Sequence, residues 1–381
     1  MFKIFVEFLN RVNAMSKKIL IVQRVITSYR LDLLKELCNY FDEVGIVTSQ
    51  GEKSGTLKKA NTDKAISEYD NLQIHELNAF KIKYTGETRG TSLFFYPKVI
   101  SLINKYDVLL LEGTTNIINN SYIIPIARIL GKKVIWWDSG YSEETRTVKR
   151  KIIDFCIKPF IKITHVQMAY SSKGKRYIEN HMGGENVFLN LNTINTEYFE
   201  TIKNEVENSI KNHKFDSEHI KLLYVGVVEK RKKIEELIHI VQKLNTENPN
   251  KKYSLTIIGG GEQLEELKSK HSSSNIIFHG PIYDKEALKA FYFNSDLFVL
   301  PGDGGLAILQ SLLYGLPVLC IKGADGTERD YILDSSFLLD SLKDVSIFLK
   351  SLKPINRAVY TNYVNKVSSR KWVQDLHEKT P

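Results

Sequence analysis

The chain has 381 residues, 53 Lys plus Arg against 44 Asp plus Glu for a net charge of +9, and 43% hydrophobic residues. That balance excludes a disordered or membrane-spanning chain, points to two domains at about 150 residues each, and favours an anionic partner. Three cysteines, Cys38, Cys156 and Cys320, stand far apart without C-x-x-C spacing, so neither a disulfide framework nor a cysteine-held zinc is signalled and a reducing, cytoplasmic setting fits.

Residues 1–16 place Phe2, Phe5, Leu9 and Val12 near a helical stripe, but Lys3, Glu7, Asn10 and Arg11 interrupt it and leave no signal-peptide core. The segment reads either as a short surface-seeking helix or as a loose extension. No stretch reaches the roughly 18 apolar residues of a membrane span.

From Lys17, "KKILIVQRV" is a buried-strand run and "SYRLDLLKELCNYF" has helical spacing at Leu31, Leu34, Leu37 and Tyr40, after which "DEVGIVTS" is the next strand. "YDVLLLEG", "SYIIPIARILG", "KKVIWWDSG" and "THVQMAYSS" with "KGKRYIENHMG" continue the strand and helix alternation of a parallel sheet. In the first turn Tyr29 and Arg30 stand where such folds usually carry glycines, and Arg30 either faces an acceptor phosphate or starts the helix and pairs with Asp32. Asp138, Ser139 and Gly140 end a strand; Asp138 is a candidate acceptor contact or base, or a simple helix cap.

The run 149–162 mixes Lys149, Arg150, Lys151, Lys158 and Lys162 with Ile152, Ile153, Phe155, Ile157, Phe160 and Ile161. It is either a helix packed on the sheet with solvated lysines or a face for an anionic membrane surface. Residues 200–220 are polar and apolar-poor, which predicts a linker there.

The second half restarts with "KLLYVGVV" and alternates through "KIEELIHIVQKL", "YSLTIIGGG", "EQLEELKSKH", "NIIFHGP", "KEALKAFYFNS" and "DLFVLPG". Three glycine turns follow strands here: Gly226, Gly259 to Gly261, and Gly302 with Gly304 and Gly305, each able to bring bare N–H groups and a helix N-terminus to an anion. "IIGGGEQLEEL" lacks G-x-G-x-x-G spacing and is not in the first strand-helix unit, which argues against a dinucleotide enzyme. Lys230, Arg231, Lys232 and Lys233 lie between the first strand and helix of this half, where a cation can neutralise a diphosphate.

The order "LLYVG", "LTIIGGGEQLEEL", "NIIFHGPI" and "SDLFVLPGDGGLAILQSLLYGLPVL" resembles the donor half of GT-B nucleotide-sugar glycosyltransferases, specifically glycosyltransferase family four, over about residues 160–335. The resemblance implies an α/β chain of two Rossmann-like, doubly wound parallel-sheet domains facing a cleft: residues 1–198 for the acceptor (1–16 an extension), 216–355 for the donor, and 356–381 a C-terminal helix returning to the first domain. It implies a hexosyltransferase moving sugar from a nucleotide-diphosphate donor to a saccharide or lipid-linked oligosaccharide in bacterial capsule or O-antigen synthesis, retaining, with no metal and no cofactor beyond the donor. Such an enzyme is cytoplasmic or at the inner membrane face and binds no nucleic acid.

Carried over by position, the implied donor contacts are Gly226, Lys230, Arg231, Lys232, Gly259, Gly260, Ile282, Gly302, Gly304, Gly305, Leu306, Gln310 and Glu328, with Lys232 matching the diphosphate lysine. Asp138, Lys232 and Asp303 are the implied catalytic groups, and Tyr29, Arg30, Ser139 and Gly140 the acceptor contacts. The chain departs from the pattern at three places. The family's two glutamates, eight apart, fall on Gly302 and Gln310, and its arginine after the first glycine falls on Val227. Two alternatives stand beside the transferase: a nucleotide-sugar epimerase of the same fold, and a basic nucleic-acid-binding protein.

Overall fold

The computed structural model describes residues 17–380 except 24–25, 28–29, 50–52, 55–56, 59–66, 79, 83–92, 114–116, 141–146 and 323–327. The chain divides into two compact units, Met1–Asn195 with Ser368–Pro381, and Thr196–Val367.

The first unit is built on strands β1 (Lys18–Val22), β2 (Glu43–Ser49), β3 (Leu72–Leu77), β4 (Val108–Glu112), β5 (Lys133–Asp138), β6 (Val166–Ala169) and β7 (Phe188–Leu189). They pair in the order β7-β6-β5-β4-β1-β2-β3 and every pair is parallel. Alternate residues serve opposite faces, as the two-residue strand period demands. Leu20, Val22 and Trp136 join one buried cluster with Ile123, Ile124, Ile157, Ile161, Tyr177 and Ile178, while Ile19, Ile21 and Trp137 join another with Leu33, Leu34, Leu37, Trp372 and Leu376. The helices supplying these side chains are α1 (Leu31–Tyr40), α2 (Ile117–Ile129), α3 (Val148–Lys162) and α4 (Ser172–His181).

The second unit carries strands β8 (His219–Val225), β9 (Lys252–Ile258), β10 (Ile276–Gly280), β11 (Leu297–Leu300), β12 (Val318–Ile321) and β13 (Leu338–Leu339), all parallel in the order β10-β9-β8-β11-β12-β13. Its main helices are α5 (Lys203–Asn212), α6 (Ile234–Glu247), α7 (Leu264–His271), α8 (Lys285–Asn294), α9 (Leu306–Leu313) and α10 (Lys343–Lys350). The last helix, α11 (Ser369–Glu378), belongs to the first unit. There Trp372 meets Trp137 at 5.3 Å between ring centroids, and the Asn190 amide donates to the Trp372 carbonyl at 3.1 Å. Burying Trp372, Val373 and Leu376 contributes roughly 1.5–3 kcal/mol each.

Three expectations are corrected. The polar stretch 200–220 is no linker: α5 lies within it, buries Val206 and lays Ile210 against Gly315, so one apolar residue per turn suffices to dock it. The change of unit falls instead at Asn195/Thr196 and Val367/Ser368. Arg150, read as part of a basic face, points inward, where its Nε donates to Asp154 at 2.8 Å and the Tyr177 hydroxyl donates to the same carboxylate at 2.5 Å.

Strand order locates the place where a ligand belongs. In each sheet the chain first builds outward in one direction, returns to the middle, and continues the other way, so the switch point lies between β1 and β4 in the first unit and between β8 and β11 in the second. Ligands of such sheets bind beyond the carboxyl ends of the two strands flanking that point.

Candidate functional site

At the second switch point the loops after β8, β9 and β11 lock together through main-chain contacts. The Gly226 N–H donates to the Ile258 carbonyl at 2.9 Å, Val228 N–H to Gly260 at 2.9 Å, and Asp303 N–H to Arg231 at 3.3 Å. The Tyr224 hydroxyl holds the first loop from below, donating to the Val227 carbonyl at 2.9 Å, and burial raises its phenol well above the usual range.

Glycine is required at several of these contacts because a Cβ would collide with backbone. One at Gly259 would lie 1.7 Å from the Gly226 oxygen, one at Gly261 2.3 Å from the Val228 oxygen, and one at Gly302 2.3 Å from the Arg231 oxygen. Gly302 therefore does more than omit the family's first glutamate. The backbone of Arg231 and Lys232 occupies the room that side chain would need.

Gly305 differs. Its φ of 162° is extended backbone open to any residue, and a Cβ there would meet nothing within 4 Å. Neither conformation nor packing calls for glycine, yet its absence of side chain keeps the start of α9 bare. Gly305 caps that helix without a side-chain hydrogen bond, and among the described residues the N–H groups of Leu306 and Ala307 have no acceptor. Such orphan donors, with the positive end of the helix dipole, form an anion site.

A cation is already directed there. Lys230–Lys232 forms one turn of 3-10 helix, Lys233 takes a left-handed φ of 54° to enter α6, and the Lys232 Nζ donates to the Asp303 carbonyl at 2.7 Å. The Lys232 ammonium thus reaches across to the loop that precedes α9. Arg231 Nε donates to Glu229 at 2.7 Å and its guanidinium lies 3.5 Å from the Asp303 carboxylate. Asp303 is therefore tied to Arg231 at this rim, as one member of a charge pair. Lys230 and Gly304 lie in the same two loops, Ile282 follows β10 half-buried, and Gln310 lies half-buried on α9. Val227, at the family's arginine position, is 44% exposed. Glu328 opens a short 3-10 turn, and its side chain lies outside the described residues.

At the first switch point the chemistry is more enclosed. Asp138 is 4% exposed at the end of β5, its Oδ1 accepts the Gly140 N–H at 3.2 Å, and Gly113 packs over its carboxylate, where a Cβ would come within 2.4 Å. Gly140 has a φ of +69°, and Ser139 and Gly140 press against Gly174 of α4 so closely that a Cβ on Gly174 would meet the Ser139 oxygen at 2.3 Å. Asp138 thus binds its own turn, beside any role toward a ligand. Arg30 lies with its guanidinium carbon 4.2 Å from the Trp137 ring centroid and donates to the Gln23 amide oxygen at 3.3 Å. Tyr29 lies outside the described residues.

A cavity of about 470 Å³ opens elsewhere in the second unit, lined by His213, Asp296, Asn356 and Arg357 among others. Its charges answer one another: Asp296 takes His213 at 2.9 Å and the Lys221 N–H at 2.7 Å, while Arg357 donates to the Ser295 and Asp296 carbonyls. Burial pulls the Arg357 guanidinium down to about 10. Asp296 precedes β11, so this cavity lies at the opposite strand ends from the glycine loops and serves to anchor the return of the chain.

Residues 205–344 match the family model for glycosyl transferases group 1. Protein CapJ of Staphylococcus aureus is 30% identical over 124 residues, which is 30% of this chain and 29% of CapJ's length. Among solved structures, HepE of Anabaena in complex with UDP superposes with a TM-score of 0.64 at 12% identity, covering 96% of this chain and 99% of that one. A glycosyltransferase from Rickettsia africae gives 0.62 at 13% identity, covering 96% and 98%. At these identities the structural likeness establishes the fold, two parallel-sheet α/β units of GT-B type.

Proposed function

We propose that the chain is a hexosyltransferase that moves a sugar from a uridine-diphosphate donor to a saccharide or lipid-linked oligosaccharide acceptor. The observation carrying this reading is the pairing of a bare α9 N-terminus with Lys232 at the switch point of the second unit. The group 1 match spans that site, and HepE, the UDP-bound neighbour, supports uridine as the nucleoside. The similarity to CapJ favours a capsule-type polysaccharide as the product.

In this reading the diphosphate seats on the N–H groups from Gly304 to Ala307 and against Lys232. Negative charge grows on the departing phosphate as the glycosidic bond breaks, and fixed dipoles with a nearby ammonium stabilise it without reorganisation. The Gln310 amide replaces a carboxylate as hydroxyl partner, and with no glutamate at residue 302 the sugar is held more by main-chain donors. Configuration is retained, and turnover needs neither metal nor further cofactor, so it continues in excess chelator. Asp138, Ser139, Gly140 and Arg30 in the first unit serve the acceptor.

The unit holding those acceptor groups also offers a membrane face. On α3, Val148, Ile152 and Phe155 are 73%, 59% and 76% exposed at helical spacing, between exposed Lys149, Lys151, Lys158 and Lys162, while Ile157 and Ile161 pack inward. Apolar side chains ringed by lysines suit an anionic bilayer surface. Among the described residues no helix is long and apolar enough to cross a membrane. A thermal-shift panel of UDP, GDP, dTDP, CMP and NAD tests the donor: UDP alone raises the melting temperature, and Lys232→Ala removes the rise. No shift with any nucleoside diphosphate refutes the reading.

A further inference from the structure

On the second unit, using none of the residues assigned above, two helices bring together a ligand set of a different kind. Glu235 and His239 lie four residues apart on α6, hence on one face, and His271 is the last residue of α7. Each offers one ligand atom, and the three atoms lie within 4.8 Å of one another. We infer that Glu235, His239 and His271 form a site for a divalent transition metal of the zinc class, which staples the start of α6 to the end of α7.

Three features argue for a metal rather than a plain ion pair. His271 Nε2 is buried and makes no hydrogen bond, although Glu235 Oε1 lies 3.5 Å away. That separation is long for a hydrogen bond but close to the about 3.3 Å between two ligands that each lie 2.0–2.1 Å from one tetrahedral zinc. The rings of His239 and His271 stand 5.2 Å apart at 78°, edge to face rather than stacked, and one nitrogen of each lies within 4.8 Å of the other. His239 is exposed, so a rotamer change there closes the widest gap.

Two imidazoles and one carboxylate are ligands suited to Zn²⁺, Co²⁺ or Ni²⁺, with a fourth position left for water. The competing cation is Lys270, 4.0 Å from the same Glu235 oxygen, but its ammonium is held by Glu266. A metal would leave that pair in place. Glu235 comes three residues after Lys232, so the staple fixes the helix that continues directly from the cationic loop.

The test needs no transferase activity. The full-length, untagged chain, stripped with chelator, is titrated with Co²⁺ and with Zn²⁺. Equilibrium dialysis is expected to give one Zn²⁺ per chain, Co²⁺ the intense visible bands of a tetrahedral ion, and Zn²⁺ a higher melting temperature. The exposed variant His239→Ala folds as the parent does, loses the bands, and binds at least about tenfold more weakly, since even outer-shell partners of a metal are worth 10–100-fold; Glu235→Gln behaves alike. Substoichiometric binding by the parent, or binding equal in the parent and both variants, overturns the site.

Discussion

The two switch points have the same topology and opposite chemistry. In the second unit glycines remove side chains so that loops interlock, and what remains uncovered is backbone N–H and a lysine. In the first, the equivalent strand ends are filled with side chains: a buried aspartate closed on its own turn and an arginine laid on Trp137. Strand order fixes where a ligand sits, and the loops decide whether it meets bare dipoles or shaped side chains. The second site suits an invariant, highly charged group such as a diphosphate, whereas the first suits a partner recognised by shape.

The largest expected difference between the two is in donor turnover. Lys232→Ala should lower kcat/KM by about 10²–10³, the cost of removing one preorganised partner of developing charge, measured with a UDP-sugar at saturating acceptor. Arg30→Ala should leave UDP affinity unchanged by calorimetric titration and raise only the acceptor KM; a loss of UDP binding there would merge the two roles. Gly302→Glu, which restores the family's carboxylate, should destabilise the fold by about 1–3 kcal/mol, because the new Cβ meets backbone that cannot swing away, and lower the melting temperature accordingly. Gly305→Ala should keep the parent's melting temperature and weaken UDP about tenfold, since its Cβ has room within the protein but faces the bound phosphate.

The smallest effect separates the units by pH. Burial is the first cause that lowers the pKa of His75, His165 and His377 in the first unit, with Lys105, Arg128 and Lys17 respectively adding to it. His165 shows why: its Nδ1 accepts the Val134 N–H at 3.0 Å and cannot do so when protonated. Groups depressed below the unfolded value of 6.5 contribute stability that is complete above that pH and is lost as pH falls through their folded values. In the second unit burial lowers His219 in the same way. Calorimetry from pH 7.5 to 5 should therefore show the transition of the first unit moving down further than that of the second.

Much of this was legible in residue order. Apolar runs such as "LLYV" and "LFVL" gave the strands, and glycines at their ends gave the ligand edge, because a buried parallel strand and a tight turn each demand particular residue types. Other features depend on which neighbour a residue meets in space. That Gly302 is packed under Arg231 whereas Gly305 is open depends on a contact some 70 residues away, and both read alike as glycine in a loop. Arg150 looked like its lysine neighbours until Asp154 and Tyr177 met it inside. β3 went unread because its sequence "LQIHEL" puts Gln73 and His75 on one face and Glu76 on the other, which breaks the apolar alternation in this edge strand. The histidines of the metal site escaped because 32 residues separate His239 from His271, a spacing that only the packing of α6 beside α7 makes meaningful.

The contact between Trp137 and Trp372 also gives the molecule a built-in optical probe. The chain has three tryptophans, and Trp136, Trp137 and Trp372 all belong to the first unit. Indole emission therefore reports on that unit alone, and exchange between the paired rings is sensitive to whether the last ten-residue helix is seated. A shift in emission on adding acceptor, with none on adding nucleotide, would place acceptor binding in the first unit without any label.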